Sequence, residues 1–201
     1  MKKTIYRRIG AYVIDALLIS LLLGIFSRIP IVNMDSDSYY STYEEYMEML
    51  QEKMSAGETV SQKVIAEYQY ELAQKSINIT VMNLVFSAFY FIVFQFINKG
   101  QTIGKKLLKI KVVNKEDKNP SILQMLIHGG IAYSIFTTTI TVLLYYLASK
   151  KVYISVINYV QLLDMGLIFA TIILMLFRKD ERGLHNLLAG TKVVHEVMEW
   201  K

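Results

Sequence analysis

Four long apolar runs dominate the sequence and limit what the chain can fold into. They cover residues 9–29, 79–97, 122–147 and 152–177, and most charged side chains lie between them. A transmembrane helix needs ~20 mostly apolar residues, and core helices of a soluble protein of this size are rarely so long and so apolar. With 53% hydrophobic and only 19% charged residues, the composition agrees. We therefore predict an all-α polytopic membrane protein with four transmembrane helices, arranged as one domain over residues 1–201.

The distribution of basic residues predicts the orientation of the chain. Lysine and arginine are concentrated in the N-terminal segment, in the loop 98–120 and in the tail 178–201, whereas residues 28–78 hold nine acidic and four basic residues. Basic loops remain on the cytoplasmic side. We expect both termini and the loop 98–120 to be cytoplasmic, and residues 30–78 to form an extracytoplasmic insertion. The N-terminus resembles a signal peptide, but no small-residue cleavage site follows the first run, so we expect it to be retained.

The insertion carries two amphipathic helix patterns. The apolar positions of the two stripes are Tyr43, Met47, Leu50, Met54 and Val60, Val64, Tyr68, Leu72. The second stripe runs into the second span without a helix breaker, which predicts one long helix and a helical outer hairpin. This hairpin either connects two spans or acts as a docking or cation-gathering surface built on Glu44, Glu45, Glu48 and Glu52. Glutamates in this linear arrangement do not form the oxygen cage that calcium needs.

A short internal repeat follows the second and fourth apolar runs. At a constant offset of 81, five residue pairs are identical: Phe96/Phe177, Leu107/Leu188, Lys111/Lys192, Val112/Val193 and Val113/Val194. Each copy reads as a turn of amphipathic helix followed by a short strand. We predict that the strands 109–114 and 191–197 pair as a small cytoplasmic two-stranded element, with Val112 beside Val193. Two related helical hairpins would form a parallel repeat.

Four short motifs in a fixed order resemble those of the RDD family of bacterial membrane proteins. They are RRIGA at 7–11, VID at 13–15, GQTIGK at 100–105 and RGLHNLLAGT at 182–191. The family is named for one arginine and two aspartates, and here Arg8 (or Arg7) matches the arginine and Asp15 the first aspartate. Asn186 stands where the family usually has the second aspartate, and asparagine cannot carry a proton or a charge there. The resemblance implies a bacterial inner-membrane location and either sodium–proton exchange or control of a membrane-protein partner.

Asp15 is the first candidate for a functional side chain. A charged aspartate inside an apolar helix costs ~2.5–3.5 kcal/mol on insertion scales, so such residues usually serve a purpose. Asp15 is either an ion- or proton-binding carboxylate or a structural lock that caps a neighbouring segment or pairs with an arginine. We predict the lock, with an arginine as partner. The candidate arginines are Arg7, Arg8, Arg178 and Arg182.

Asp164 is the second candidate, near the middle of the fourth run. Asn158, Gln161 and Asp164 recur every three residues and form a polar stripe that should face other helices rather than lipid. The stripe serves either interhelical hydrogen bonding or a second ion or proton site. His128 and His185 lack a spaced second ligand, so we expect packing or hydrogen-bonding roles and no metal site. Arg7, Arg182, Asn158, Gln161 and His185 are the supporting polar residues.

Several classes of function are excluded by what the sequence lacks. The chain has no cysteine, which excludes disulfides, thiolate catalysis and iron–sulfur clusters. No phosphate loop or zinc-binding pattern is present, so we predict no enzyme activity and no cofactor. The lysines of the loop 98–120 fit anionic lipid at the cytoplasmic face better than nucleic acid.

Two hypotheses for the function remain open. The first is a homo-oligomer, most simply a dimer, that exchanges a monovalent cation for a proton through Asp15 and Asp164. The second is a non-catalytic regulator or scaffold that binds another membrane protein through the outer hairpin or the cytoplasmic repeat.

Overall fold

The computed structural model describes residues 4–29 and 36–196, and most of these residues are helical. The elements in chain order are α1 (Ile5–Phe26), α2 (Ser36–Ser55), α3 (Gln62–Ala88), a π-helical segment (Phe89–Phe94), α4 (Gln95–Ile97), α5 (Ile103–Leu107), β1 (Ile110–Asn114), α6 (Ile122–Ala132), α7 (Ile135–Leu147), α8 (Lys150–Phe177), α9 (Leu184–Leu188) and β2 (Thr191–His195).

Three helical stretches of the described chain are long and apolar enough to cross a membrane. They are α1, the continuous stretch Gln62–Ile97 that joins α3 to α4, and α8. They correspond to three of the four predicted spans. The second stretch has 36 residues and is about 54 Å long, well beyond the ~30 Å of a bilayer core. The prediction that the second stripe of the insertion continues into the second span is therefore confirmed.

The predicted third span, residues 122–147, is not a single straight helix. It consists of α6 and α7, which are bent by 75° relative to each other, so the described residues contain three candidate spans, or four if this pair counts as one. The break occurs at Ser134, which has a φ of 54°. A Cβ on Gly130 would lie 2.3 Å from the Phe136 ring, so the absence of a side chain allows the bend to close. With 13 residues, α7 is only about 20 Å long.

The two strands form an antiparallel sheet in which Val112 pairs with Val193. The predicted pairing of the two segments is confirmed, with strands Ile110–Asn114 and Thr191–His195. The end of the second predicted strand, at residue 197, lies outside the described residues. Both ends of β1 and β2 are related by the offset of 81, so the repeat seen in the sequence is also a repeat of structure. The pair Val112–Val193 lies at the centre of the two-stranded sheet.

The short helices that precede the strands repeat the same pattern of burial. In α5 the buried residues are Gly104 and Lys105, and in α9 they are His185 and Asn186, which are their equivalents at the same offset. Each helix therefore turns corresponding positions inward. The residues that fill those positions differ completely between the two copies, which gives the two halves different chemistry.

The chain divides into two compact units, which are described separately. The first contains the described residues up to Leu22, Leu84–Phe136 and those from Asp164 onward. The second contains the described residues of Leu23–Asn83 and Thr137–Leu163. The candidate site lies in the first unit.

In the second unit, α2 packs against α3 as a helical hairpin. The rings of Tyr46 and Tyr68 lie 5.0 Å apart, and the Lys75 ammonium donates hydrogen bonds to the Ser38 carbonyl and the Thr42 hydroxyl. The core of this unit is formed by Ala66, Tyr153 and Ile157, with Tyr70, Ala73, Leu144, Tyr145 and Ile154 packed around it.

Candidate functional site

Asp15 is fully buried and accepts hydrogen bonds from three donors. Its Oδ1 accepts from the Tyr90 hydroxyl at 2.6 Å and from the backbone N–H of Gly104 at 2.8 Å. Its Oδ2 accepts from the Thr102 hydroxyl at 2.6 Å. These donors stabilise a buried carboxylate that would otherwise be costly. Through them, Asp15 ties α1 to the π-helical segment and to α5.

The sequence around Thr102 explains how α5 reaches the carboxylate. Thr102 is the N-cap of α5: its hydroxyl oxygen accepts from the Lys105 backbone N–H at 3.2 Å while donating to Asp15. A Cβ on Gly104 would lie 2.4 Å from the Ala11 carbonyl oxygen and 2.8 Å from Asp15 Oδ1. Only glycine allows α5 to approach α1 this closely. Both features belong to the GQTIGK motif.

Tyr90 reaches Asp15 from the π-helical segment Phe89–Phe94. In a π-helix each hydrogen bond spans five residues instead of four, so the side chains that follow are rotated relative to those of an α-helix. Such segments are frequent at functional sites. The Tyr90 hydroxyl also accepts from the backbone N–H of Ile103 at 2.9 Å. The same hydroxyl thus joins the start of α5 to the carboxylate of α1.

Lys105 is buried beside this cluster. Its Nζ donates to the Tyr133 hydroxyl at 3.2 Å and lies 5.6 Å from the centre of the same ring. Burial lowers the pKa of Lys105 to about 7; the negative charge of Asp15 opposes this shift, and the positive charge of Arg8 adds to it. The ammonium therefore carries a proton that it can lose near neutral pH.

Arg8 joins the start of α1 to the segment before α9. Its Nη1 donates to the Glu181 carbonyl at 2.5 Å, and its Nη2 lies 3.4 Å from His185 Nε2. The Glu181 carboxylate accepts from both the backbone N–H and the hydroxyl of Thr4, at 2.8 and 3.0 Å. These bonds hold the guanidinium and the first turn of α1 against the C-terminal segment.

His185 and Asn186 form a second buried cluster. Because the guanidinium of Arg8 can only donate, His185 Nε2 acts as an acceptor and the ring carries its proton on Nδ1. The Asn186 side chain lies 2.9 Å from the same Nε2 and accepts from the Thr191 hydroxyl at 3.2 Å. The His128 ring packs edge-on, 4.8 Å away. Burial, with Arg8 as the next cause, lowers the pKa of His185 to about 3, so the ring is neutral.

The predicted bond between Asp15 and an arginine is wrong. The candidate arginines bind other groups: Arg7 the Leu108 carbonyl, Arg8 the Glu181 carbonyl, Arg178 the Asp180 carboxylate, and Arg182 the carbonyls of Asn186 and Thr191. Hydroxyl and amide donors satisfy the carboxylate without the cost of bringing a second full charge into direct contact. The capping form of the predicted lock agrees with the structure, because Gly104 lies in the first turn of α5.

Asp164 and its polar stripe bond to groups outside α8. Asp164 Oδ2 accepts from the Ser134 hydroxyl at 3.0 Å, at the break between α6 and α7. In the second unit, the Asn158 side chain donates to the Gln62 carbonyl at 3.2 Å. Gln161, although exposed, accepts from Gln69 at 3.1 Å. These hydrogen bonds agree with the prediction that the stripe contacts other helices.

Sequence reasoning identified Asp15, Arg8, His185 and Asn186 but missed most of their partners. The residues missed in and around the clusters are Thr4, Tyr90, Thr102, Gly104, Lys105, Tyr133, Glu181 and Thr191. Thr102 had a readable signal, because threonine is one of the residues preferred at a helix N-cap. Tyr90 had none, since it lies in a run of aromatic and aliphatic residues. Within 4–29 and 36–196, no group of three or more His, Cys, Asp or Glu is placed to hold a metal.

Comparison with known proteins agrees with the motifs. The model of the RDD family matches residues 3–190, which is nearly the whole chain. No curated protein and no solved structure matches this chain. The matched region includes Arg8, Asp15 and Asn186, the short helices α5 and α9, and β1, and it ends just before β2. The chain therefore belongs to the RDD family.

Proposed function

We propose that this RDD family protein exchanges a monovalent cation for a proton across the membrane, with Asp15 as the carboxylate that binds either ion. The observation that carries the proposal is the complete burial of Asp15 within an apolar helix. An ionisable residue in such a position is expensive to keep and commonly marks an ion or proton site. The hydroxyl oxygens of Tyr90 and Thr102, each 2.6 Å away, add oxygen atoms beside the charge.

The hydrogen bonds of Asp15 suggest how occupancy changes the protein. As an anion, the carboxylate accepts from α5 and from the π-helical segment. A proton or a cation on the same oxygens competes with those donors and loosens α5. Asp164, which accepts from Ser134, is the second carboxylate of the proposal. The exchange requires neither a cofactor nor a catalytic residue, so we propose a transporter that is not an enzyme.

Ion flux in vesicles tests the exchange. Purified protein in liposomes that contain a pH-sensitive dye should release or take up protons when Na⁺, K⁺ or Li⁺ is added outside. We expect Asp15→Asn to abolish the signal and Asp164→Asn to reduce it, while Glu45→Gln on α2 leaves it unchanged. Thr102→Ala keeps the carboxylate but removes one of the two hydroxyl oxygens beside it, so it should retain flux but need a higher cation concentration. Full exchange by Asp15→Asn would overturn the proposal.

We further propose a homodimer in the bacterial inner membrane with both termini in the cytoplasm. The basic loop and tail and the acidic insertion support this orientation. In cells, a membrane-impermeant thiol reagent should label a Ser55→Cys variant from the periplasmic side. A Lys118→Cys variant should be labelled only after the membrane is opened. The reverse pattern would overturn the orientation.

A regulator or scaffold is the second candidate, and the surface of α2 favours it. Tyr43, Met47 and Met54 are exposed on this helix beside Glu44 and Glu48. Exposed apolar side chains flanked by acids suit a basic amphipathic segment of another membrane protein. A photocrosslinker at position 54 should then capture one defined partner, and Met47→Glu should abolish the capture without changing ion flux.

A further inference from the structure

Three helices of the first unit turn large apolar side chains outward. Leu107 on α5 is 63% exposed, Leu123 on α6 is 61% exposed and Leu188 on α9 is 57% exposed. Ile103 on α5 and Ile122 and Leu126 on α6 are exposed as well. At ~25 cal/mol per Å² of apolar area, so many exposed aliphatic groups favour a surface that is covered rather than wet.

The opposite faces of these helices are fixed by the two buried clusters. In α5 the inward residues are Gly104 and Lys105, in α9 they are His185 and Asn186, and in α6 they include His128. Rotating any of the helices to hide its leucine would break hydrogen bonds of buried polar groups. The outward orientation of the leucines therefore follows from the same contacts that build the site.

The outward positions recur in both copies of the repeat. Leu107 and Leu188 are equivalent at the offset of 81, and both follow the inward pair of their helix by two residues. In each copy the short helix begins a few residues after a long apolar helix ends, at Ile97 and at Phe177. Both leucines are thus close in sequence to the end of a candidate span. If these helices span a bilayer, both leucines would lie near its boundary.

Lysines flank the apolar surface. Lys106 is exposed on α5 between Ile103 and Leu107, and Lys109 is exposed just after the helix. A lysine in this position lays its methylene chain along apolar surface and extends its ammonium to the headgroup level. Each basic residue near an anionic surface contributes about 1 kcal/mol of attraction. Exposed apolar residues with lysines beside them, which can reach the headgroup level, are typical of a segment that lies in a membrane interface.

We propose that the outward faces of α5, α6 and α9 form an interfacial surface that binds anionic phospholipid, with Leu107, Leu123 and Leu188 in the acyl-chain boundary and Lys106 and Lys109 on the headgroup phosphates. The 75° bend between α6 and α7 fits this arrangement, because α6 does not have to run in the same direction as α7. The proposal is independent of ion exchange.

Tryptophan fluorescence tests which medium surrounds the surface. Leu107→Trp, Leu123→Trp and Leu188→Trp are made singly in a Trp200→Phe background and placed in vesicles of phosphatidylglycerol and phosphatidylcholine. Lipids brominated near the headgroup end of the chain should quench each of the three about three-fold more than a Lys118→Trp control at the turn after β1. Quenching equal to the control would overturn the proposal. Emission that is blue-shifted but not quenched would do so as well, because a second copy or another protein would then cover the surface.

The identity of the lipid has a separate readout. In this experiment only one lipid species is brominated at a time. Brominated phosphatidylglycerol should quench the fluorescence of the Leu107→Trp variant at least two-fold more than brominated phosphatidylcholine. Adding Lys106→Gln and Lys109→Gln should remove that preference, whereas Lys118→Gln should not. Equal quenching by both lipids in the parent variant would overturn the role of the two lysines.

Discussion

Lys105→Met should remove a rise in stability that the parent protein shows above neutral pH. The buried ammonium has a pKa of about 7, against an ordinary value of 10.5. Between these two values the unfolded chain binds more protons than the folded one, so the free energy of unfolding increases with pH. The cost of burying the charge is greatest below pH 7 and disappears as the pH approaches 10.5.

The size of the effect follows from the two pKa values. One pKa unit corresponds to about 1.4 kcal/mol, which is also the greatest slope per pH unit for a single group. Integrated from pH 7 to pH 9, the contribution of Lys105 to stability is about 2 kcal/mol. For a chain of this size, that corresponds to roughly 4–8 °C in the midpoint of thermal unfolding.

The assay is thermal unfolding in detergent at half-unit steps from pH 6 to pH 9. Methionine keeps the length and volume of the lysine stem but carries no charge. Other groups titrate in both proteins, so the difference between the parent and Lys105→Met isolates position 105. Lys106→Met is the matched control, because Lys106 is exposed on the same helix. Parallel curves for the parent and Lys105→Met would refute the reasoning.

A second variant checks the cause of the shift. Asp15 raises the pKa of Lys105 against the effect of burial. Removing its charge with Asp15→Asn should therefore move the onset of the rise below pH 7. An onset that stays in place would mean that the two charges do not interact.

Three further results are expected. Asp15→Asn should lower the free energy of unfolding by about 3 kcal/mol at pH 7, measured by unfolding in detergent, because the asparagine NH2 group would face hydrogen-bond donors. Asn186→Asp should cost less. Gly104→Ala should cost about 1–3 kcal/mol, since its Cβ would meet a carbonyl oxygen of α1 at 2.4 Å, but Gly24→Ala, with open space around it, should stabilise by up to about 1 kcal/mol. His185 should stay neutral from pH 5 to pH 8, with constant ¹⁵N imidazole shifts, because its pKa is about 3.

The sequence was most informative where a pattern has one structural solution. Long apolar runs predicted the helices, and the offset of 81 predicted the pairing of Val112 with Val193. The bend after α6 was not predicted, because residues 122–147 are mostly apolar and contain no Asp, Glu, Lys or Arg. A hydropathy pattern does not show the close contact of Gly130 with Phe136. The break depends on packing, which the pattern does not contain.

The partners of the charged residues were harder to predict than the residues themselves. Burial of a carboxylate in an apolar helix requires hydrogen-bond donors, but the requirement does not say which donors. An arginine close in sequence was the simplest solution, and the structure uses Tyr90, Thr102 and Gly104 instead. These come from a π-helical turn and a helix N-cap that are brought together only by the tertiary fold.

Arg8 and Asp15 contact different copies of the repeat. Asp15 accepts from Gly104 of α5, in the first copy, and Arg8 contacts His185 of α9, in the second. Because both charges lie on α1, one helix holds both copies. Neutralising Asp15 would release α5 while Arg8 keeps α9 in place, so the two halves would respond unequally to one binding event. An exchanger in which a proton and a cation compete for Asp15 needs such a response, since occupancy of the carboxylate has to move one part of the protein against another.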